Sequence, residues 1–456
     1  MKDLTKGNPS KVILSFALPV LIGSIFNLAY NLADMRIIGS YLGDDALMAV
    51  GSVSTLNDLI LGFLMGVANG FGVVTSQFFG RKENDRVRKN FALSLVLGVL
   101  TAALIMAGCL AGLDGILNIL QVTENREAAK EYISVILTGL IFSVIYNSLA
   151  ANLRAIGDAY TPLAFLIISA FLNVGLDILC VGHLGLGVKG AAIATVIALI
   201  IAMVLCLIYT LLRYSILRPR LKDFLPEAEY LKQLIPAGIS MGLMSSLVNF
   251  GTVALQSAIN SLGGNIIIAH AATRKLTSFF MMPFMSLATA MSTFAGQNYG
   301  AGRIDRIKQG LVRSLFFSYL WCLVDILMSY TICPYLIVAI TSTDTQEVID
   351  TACLYQRVDT LFYMIVPTIS IIRNSLQGMG DHITPIVSSA LELIGKLVFA
   401  LIFTPIWKYW AIIWAEPVVW VIMVIPLILG MLKKLGMLGK STGRTGRRPS
   451  GPPESV

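Results

Sequence analysis

The chain has 456 residues, of which 56% are hydrophobic and only 13% are charged, and its mean hydropathy is +0.77. Soluble globular domains carry about 25% charged residues, so this composition excludes an ordinary soluble protein. The formal charge of +8 does not indicate a nucleic-acid partner, because the basic residues are spread over short loops between apolar segments. We therefore expect an integral membrane protein.

Twelve apolar stretches long enough to cross a bilayer follow one another along the chain. The amino end, MKDLTKGNPSK, is polar and leads directly into the first stretch, so no cleavable signal peptide is expected. The predicted spans are 12–38, 46–79, 90–113, 128–152, 160–182, 190–213, 230–258, 265–297, 307–335, 350–375, 384–404 and 408–432.

The loops between these spans differ in charge. Lys and Arg are frequent in alternate loops, such as RKENDRVRK (81–89) and RYSILRPRLK (213–222), and scarce in the loops between them. Because positive loops stay on the cytoplasmic side, this pattern places both termini in the cytoplasm. Residues 433–456 are rich in Gly, Pro, Ser and Arg and are predicted to form a disordered cytoplasmic tail.

The chain contains an internal repeat. SQFFGRKENDRV (76–87) recurs in part as GQNYGAGRIDRI (296–307), and IGDAYTP (156–162) recurs as MGDHITP (379–385). Each copy holds an even number of spans, so both copies face the same way, related by a pseudo-two-fold axis along the membrane normal. We predict an all-α membrane protein of twelve transmembrane helices, built from a six-helix bundle (1–213), a cytoplasmic linker (214–229) and a second six-helix bundle (230–432).

The same motifs resemble those of the multidrug and toxic compound extrusion (MATE) family. The resemblance is carried by the opening stretch 4–51, by TFAGQNYGAGR (293–303), by LRAIGDAYTP (153–162) and by SLQGMGDHITP (375–385), and it extends from about 2 to 432. It implies a V-shaped prokaryotic exporter of amphipathic, often cationic compounds, driven by inward proton or sodium flow. Within the family it is nearest to the archaeal and DinF-like branch.

Several polar residues of the first bundle share one predicted depth. Asn173 and Asp177 lie four apart in the fifth span, and so on one face of a helix. Asp34, Thr195 and Tyr132 are each four or five residues from the outer end of a predicted span. An ionised Asp inside a membrane is costly and normally faces an ion or substrate path. Two carboxylates with neighbouring oxygens suit a sodium ion or a shared proton, because their repulsion is relieved by either.

The resemblance implies the same assignment. Four of these residues match the polar positions of the amino-terminal cation site in the archaeal and DinF-like branch, and Tyr132 matches less well. Tyr30 and Pro19 match a cavity-lining tyrosine and a bend-forming proline. The implied cation-site residues, for a proton or sodium, are Asp34, Asn173, Asp177, Thr195 and Tyr132.

A purely architectural role is the alternative, in which Asp34 is neutralised by Arg36 and Asp177 is a buried acid hydrogen-bonded for packing. The second copy argues against it, because a residue needed only to hold a bundle together should recur there. At the repeat offset the second copy instead has Lys396, Ala400 and Val418.

Other residues are candidates for the substrate cavity or its gates. Glu392 is four residues before Lys396, so it either forms an intrahelical ion pair or contacts cationic substrates. Met282 lies in FFMMPFMSLATAM (279–291), which suits promiscuous binding of bulky apolar cations but is equally suited to packing against lipid. Asp58 in the second span is placed to line the cavity.

Intramembrane charges of the second bundle are expected to pair with one another, namely Asp325, Arg274, Lys275 and Arg357. The seventh span has no acid, so the carboxy-terminal sodium site of the other bacterial branch of the family is expected to be missing. The chain has no nucleophile–base set, phosphate-binding loop or dinucleotide fingerprint, so neither an enzyme nor a cofactor is predicted.

The sequence thus predicts a monomeric antiporter whose partners are the lipid bilayer and amphipathic cationic small molecules. The alternative is a flippase for a lipid-linked precursor, which is expected to carry several cationic cavity residues for a pyrophosphate. The spans of the first bundle offer almost none.

Overall fold

The structure, a computed structural model, describes residues 2–442 except 121, 123 and 342–344, with side chains up to 436. Every regular element in this part of the chain is a helix. Helices are expected here because the hydrocarbon core offers no water, so each backbone N–H and C=O group needs a partner within its own segment. The predicted all-α class is confirmed.

The first bundle contains six spans and one short helix. The last span of this bundle is followed by a linker that contains two 3₁₀ turns, Ser215–Leu217 and Leu221–Phe224. The helices are α1 (Pro9–Leu42), α2 (Asp44–Gly80), α3 (Asn84–Ala111), α4 (Leu113–Ile119), α5 (Arg126–Ala155), α6 (Tyr160–Asp177) and α7 (Gly187–Arg213).

The second bundle repeats this order. Its last helix continues through Thr442, past the predicted start of the tail at 433, and 443–456 lie outside the described residues. The helices are α8 (Ala228–Asn260), α9 (Gly264–Gly300), α10 (Ile304–Thr331), α11 (Cys333–Thr341), α12 (Gln346–Leu361), α13 (Ile365–Gly378), α14 (Ile383–Val398), α15 (Thr404–Trp407) and α16 (Tyr409–Thr442).

Eleven continuous helical segments in the described part of the chain are long and apolar enough to cross a membrane. The remaining span, the tenth in chain order, is interrupted, because α12 ends at Leu361 and α13 begins at Ile365. Pro367 explains the interruption: its ring nitrogen has no hydrogen to donate to the carbonyl of Tyr363, and its ring crowds that carbonyl. The Tyr363 carbonyl instead accepts from Val366 N at 3.1 Å. The prediction of twelve spans in two bundles is confirmed.

The backbone repeats in detail. A short helix follows the third span of each bundle, α4 in the first and α11 in the second. The fifth span of each bundle ends in a π-helical turn, at Ile178–His183 and at Phe399–Phe403. Such turns often accompany functional sites in helices.

The two bundles contact each other at the side that carries Lys2 and the end of α16, called the inner side below. A Cβ atom on Gly80 would lie 2.0 Å from the Gln297 carbonyl oxygen, and one on Gly300 would lie 2.1 Å from that of Gln77. Only glycine permits this reciprocal approach of α2 and α9. The Gln77 side chain also donates to the Gly378 carbonyl at 2.8 Å, so the inner side is closed.

The segment that precedes each bundle binds the inner end of the other bundle. Arg306 of α10 donates to three backbone carbonyls of residues 2–7, at 2.9 to 3.3 Å. Arg88 of α3 donates from Nε to Asp223 Oδ2 of the linker at 2.7 Å. We call residues 2–7 the amino-terminal strap and residues 218–227 the linker strap.

Candidate cation site

Helices α1, α6 and α7 place the predicted polar residues at one level. Asp34 lies eight residues before the end of α1 at Leu42, and Thr195 lies eight residues after the start of α7 at Gly187. At a rise of 1.5 Å per residue, both are about 12 Å inside their helices. This is deeper than the sequence predicts, because the helices continue beyond the apolar stretches.

Two acids form the centre of the site. The carboxyl groups of Asp34 and Asp177 lie within hydrogen-bonding distance of each other. Asp177 is fully buried, whereas Asp34 is half-buried. One carboxyl oxygen of each has no hydrogen-bond partner in the described part of the chain. Two ionised carboxylates repel at this distance, so the arrangement requires a proton or a cation between them.

An amide and a hydroxyl extend this set. Asn173 is buried, and its amide satisfies both neighbours in one orientation. Its nitrogen then donates to Asp177 Oδ2 at 2.7 Å, while its oxygen accepts from Thr195 Oγ1 at 3.1 Å. The Tyr30 hydroxyl lies near the Thr195 hydroxyl. The predicted residues of α1, α6 and α7 therefore form one connected network.

Tyr132 of α5 is the fifth predicted cation-site residue, and it lies beside this network. It is buried, and its hydroxyl lies close to Asp34, Tyr30 and Asp177. Asp58 of α2 is also near Tyr132, but it is exposed and forms no ion pair with any described residue. The structure thus brings all five predicted cation-site residues together and leaves Asp58 at the edge of the set.

The remaining cavity candidates lie elsewhere. Pro19 is buried inside α1, fifteen residues before Asp34, where a missing N–H allows the helix to bend. Met282 is half-buried in α9, next to Pro283. Glu392 is buried in α14. Met282 and Glu392 belong to the second bundle, so they are separate from the acid pair.

Glu392 is part of a chain of alternating charges. Lys396 Nζ lies 3.1 Å from Glu392 Oε1 and 3.2 Å from Glu416 Oε1. Arg373 reaches the other Glu392 oxygen at 3.5 Å, and Arg274 reaches Glu416 at 3.5 Å. The Glu392–Lys396 pair that the spacing suggests is present, and both acids of this charged cluster are neutralised by two bases each. We call these five residues the charge chain.

Sequence reasoning missed two buried acids of the second bundle. Glu416 was hidden inside the long apolar run of the last span, next to Pro417. Asp359 of α12 is 1% exposed and lies near Tyr363, at the interruption of the tenth span. The signal for both was the same: each acid lies eight or nine residues inside a predicted span, where a charge is costly and needs a reason. The seventh span has no acid, but the second bundle still contains these two buried carboxylates, to which sequence reasoning assigned no role.

The expected pairing of Asp325 is wrong. Asp325 is fully buried in α10, and neither of its carboxyl oxygens has a hydrogen-bond partner in the described residues. Arg274 binds Glu416 instead. Arg357 donates from Nε to the Ser329 carbonyl at 3.5 Å and lies over the Tyr330 ring.

The donor set fits a small hard ion better than a transition metal. No group of three or more His, Cys, Asp or Glu side chains with the spacing of a metal site occurs among the described residues. Carboxylate, amide and hydroxyl oxygens are the ligands that monovalent and alkaline-earth cations prefer, and two carboxylates in contact also hold a proton.

Comparison with known proteins gives a consistent result. The profile of the MatE family matches residues 19–179 and 240–402, one match in each half of the chain. The probable multidrug resistance protein YpnP of Bacillus subtilis is 30% identical over 67% of this chain and 68% of its own length. A second Bacillus subtilis relative, the probable multidrug resistance protein YoeA, is 28% identical over 83% of both chains.

The fold is also found in solved structures. A crystal structure of MATE in the bent conformation superimposes with a TM-score of 0.88 at 22% sequence identity. The superposition covers 96% of this chain and 98% of the other. The two-bundle architecture is therefore that of the matched structure.

Proposed function

Because the chain belongs to the MatE family, we propose that it is a secondary active antiporter that exports amphipathic, often cationic drugs or toxic compounds. Protons or sodium ions enter in exchange. The protein is a multi-pass membrane protein, and we assign it to a prokaryotic plasma membrane with both termini in the cytoplasm. The names of its relatives as multidrug resistance proteins support the substrate class. The observation that carries the proposal is the contact between Asp34 and Asp177.

The acid pair supplies a physical basis for coupling. With a proton or a cation between them, Asp34 of α1 and Asp177 of α6 attract a common charge and hold the two helices together. Without it the carboxylates repel, which favours a different position of α1. A bend at Pro19 gives α1 a place to move. A cationic drug that binds the unloaded state and an ion that binds the loaded state then favour opposite conformations, as antiport requires.

The proton is the better candidate of the two ions. Asn173 bonds to both Thr195 and Asp177, which leaves few oxygens free for a dehydrated sodium ion. A proton needs only the two carboxyl oxygens. Sodium remains a competitor for the same oxygens, so it should weaken proton-driven export rather than add to it.

The test is dye efflux from proteoliposomes that contain the purified protein. A pH gradient should drive efflux of an ethidium-like dye, and saturating sodium should reduce that response. Dye efflux that occurs without any gradient, and that neither a pH gradient nor a sodium gradient changes, would overturn the antiport proposal. Absence of any dye transport, together with binding of a lipid pyrophosphate, would favour the flippase alternative.

The orientation has a separate test. Asp44 and Asn84 are both exposed and are the first residues of α2 and α3. Because consecutive spans cross the membrane in opposite directions, the two residues are expected on opposite sides of it. Cysteines introduced there, in a background without native cysteines, should differ in labelling by an impermeant reagent added outside intact cells. Position 44 should react and position 84 should not. The reverse pattern would place both termini outside.

A further inference from the structure

A line of polar side chains runs along one face of α10 inside the second bundle. Its members follow one another at intervals of three or four residues, which places them on the same side of the helix. None of them has any exposed surface. They extend over about 22 Å at the rise of an α-helix. The residues are Ser314, Ser318, Cys322, Asp325 and Ser329.

Most of these side chains have no hydrogen-bond partner. The hydroxyls of Ser314, Ser318 and Ser329 are unpaired among the described residues. On the adjacent helix α9, by contrast, Ser278 and Ser286 each donate to the carbonyl one turn back, both at 2.8 Å. Buried hydroxyls almost always find a partner, so a whole row without one is unusual.

The carboxyl group of Asp325 indicates a binding site independently of the unpaired serines. Among the described residues, neither of its oxygens has a hydrogen-bond partner and no basic side chain forms an ion pair with it, although it is fully buried. An ionised carboxylate in such surroundings costs several kcal/mol or more, so it has to be neutralised. The charge chain shows how this bundle neutralises other acids, with two bases for each. Asp325 lacks that solution.

The surroundings of Asp325 contain few ionisable groups. Cys322, one turn before it, donates from Sγ to the Tyr363 carbonyl at the interruption of the tenth span, 3.6 Å away. Arg357 of α12 faces this region, as does Tyr363 of the interruption, and Asp359 lies next to Tyr363. No described side chain of α1, α9, α13 or α16 forms an ion pair with Asp325.

We propose that Asp325 is a second proton-binding site, located in the second bundle and separate from the Asp34–Asp177 pair. The neutral acid fits the state seen here, because it needs no counter-charge. The serine hydroxyls extend the site along α10, since each can donate and accept a proton. The proposal rests on antiport as the function, because only a coupled transporter has a use for a second proton.

Arg357 provides a means of releasing that proton. Its guanidinium binds the carbonyl of Ser329, one helical turn beyond Asp325, through a long hydrogen bond of 3.5 Å. A shift of α12 along α10 by one turn brings Arg357 to Asp325. The O–H bond of the acid then breaks, the proton passes to water, and the carboxylate is left paired with the guanidinium.

The test counts protons. Purified protein in weakly buffered detergent solution is mixed with ethidium, and released protons are measured with a pH indicator. Asp325→Asn should release about one proton fewer per transporter than the wild type, because the amide cannot titrate. Ser286→Ala, which removes a buried and paired hydroxyl of α9 outside the site, should release the wild-type number. Asp325→Ser serves as a second variant if the Asn variant does not fold, and the same reduction is expected from it.

A second measurement separates a titrating role from a packing role. Arg357→Gln removes the counter-charge, so the proton should be released only at higher pH, and the pH profile of dye efflux should shift upward. A wild-type proton count in Asp325→Asn, together with an unshifted profile in Arg357→Gln, would overturn the proposal. A wild type that releases no protons and ignores both gradients would instead overturn the antiport function itself.

Discussion

The two bundles have the same backbone plan, but each contains a cluster of acids, and the two clusters are neutralised in opposite ways. In the first bundle, Asp34 and Asp177 lie against each other, with no base bound to either in the described residues. In the second bundle, Glu392 and Glu416 are each bound by two basic side chains. An acid neutralised by a fixed base has no need of an ion. An uncompensated pair binds one, so we place the first ion site in the first bundle, separate from the proton site proposed at Asp325, and expect structural support from the charge chain.

Because the chain is repeated, equivalent positions of the two bundles can be compared directly. Helices α6 and α14 are equivalent, and each continues into a π-helical turn, at Ile178–His183 and Phe399–Phe403. Near the end of α6 stands Asp177, whereas near the end of α14 stands Lys396. At the repeat offset Asn173 is replaced by Lys396 and Asp177 by Ala400. The two copies therefore share the local backbone, while the second copy lacks the acid and carries a base one turn earlier.

The largest effect should come from removing one acid of the pair. Asp177→Asn and Asp34→Asn should each abolish gradient-driven dye efflux, because the remaining carboxylate has no partner with which to hold an ion. Neither should impair membrane insertion, since a charge is removed from a costly position. Efflux from proteoliposomes measures the first effect, and the yield of monodisperse protein measures the second.

Asp58→Asn is the matched control, because Asp58 is an acid of the same bundle that is exposed and lies at the edge of the network. It should retain coupled efflux, with at most a change in dye affinity. Full efflux by Asp177→Asn would refute the assignment of the ion site to this bundle.

A large effect on stability, rather than on coupling, is expected in the charge chain. Glu416→Gln leaves Arg274 without its acid and Lys396 with only Glu392, and breaking a buried ion pair costs about 3 kcal/mol. The melting temperature of the purified protein should fall clearly, while the folded fraction should still respond to a pH gradient. The double variant Glu416→Gln, Lys396→Met should recover part of the loss. An unchanged melting temperature in Glu416→Gln would show that the chain does not stabilise the bundle.

Much of this comparison was available from the sequence, and the reasons for the rest are physical. The repeat, the twelve spans and the polar set around Asp177 all follow from periodicity and from the cost of polar groups in a membrane. The interruption of the tenth span had a signal in Pro367, but a proline alone does not distinguish a bend from a break. The partners of Glu416 and Asp325 depend on which helices pack together, and one sequence does not contain that information.

A smaller effect is expected at the other end of the charge chain. Glu392→Gln leaves Glu416 to neutralise Lys396, while Arg373 loses its only ion-pair partner among the described residues. A free guanidinium inside the second bundle should disfavour cationic substrates relative to neutral ones. We expect a few-fold change in the ratio of their efflux rates, with coupling preserved. Equal loss for both substrate types would indicate a role in coupling instead.

The smallest effect concerns the two straps at the inner side, where the contrast between charged and uncharged partners recurs. Arg306 binds backbone carbonyls of the amino-terminal strap, which do not titrate. Arg88 binds Asp223 of the linker strap. Although burial acts to raise it, the pKa of Asp223 lies below its usual value, because the Arg220 backbone N–H and the Arg88 guanidinium favour the carboxylate.

A depressed pKa in the folded protein gives stability that is present above the usual value of 3.8 and is lost as the pH falls through the folded value. Asp223→Asn should therefore lower the stability by about 1 kcal/mol at neutral pH, and its melting temperature should approach that of the wild type in strong acid. Arg306→Gln is the matched control, and its deficit should stay constant over the same pH range because carbonyls carry no proton. If the melting temperatures of Asp223→Asn and the wild type differ by the same amount at every pH, the ion pair does not stabilise the linker strap. The contrast between the two straps would then be lost.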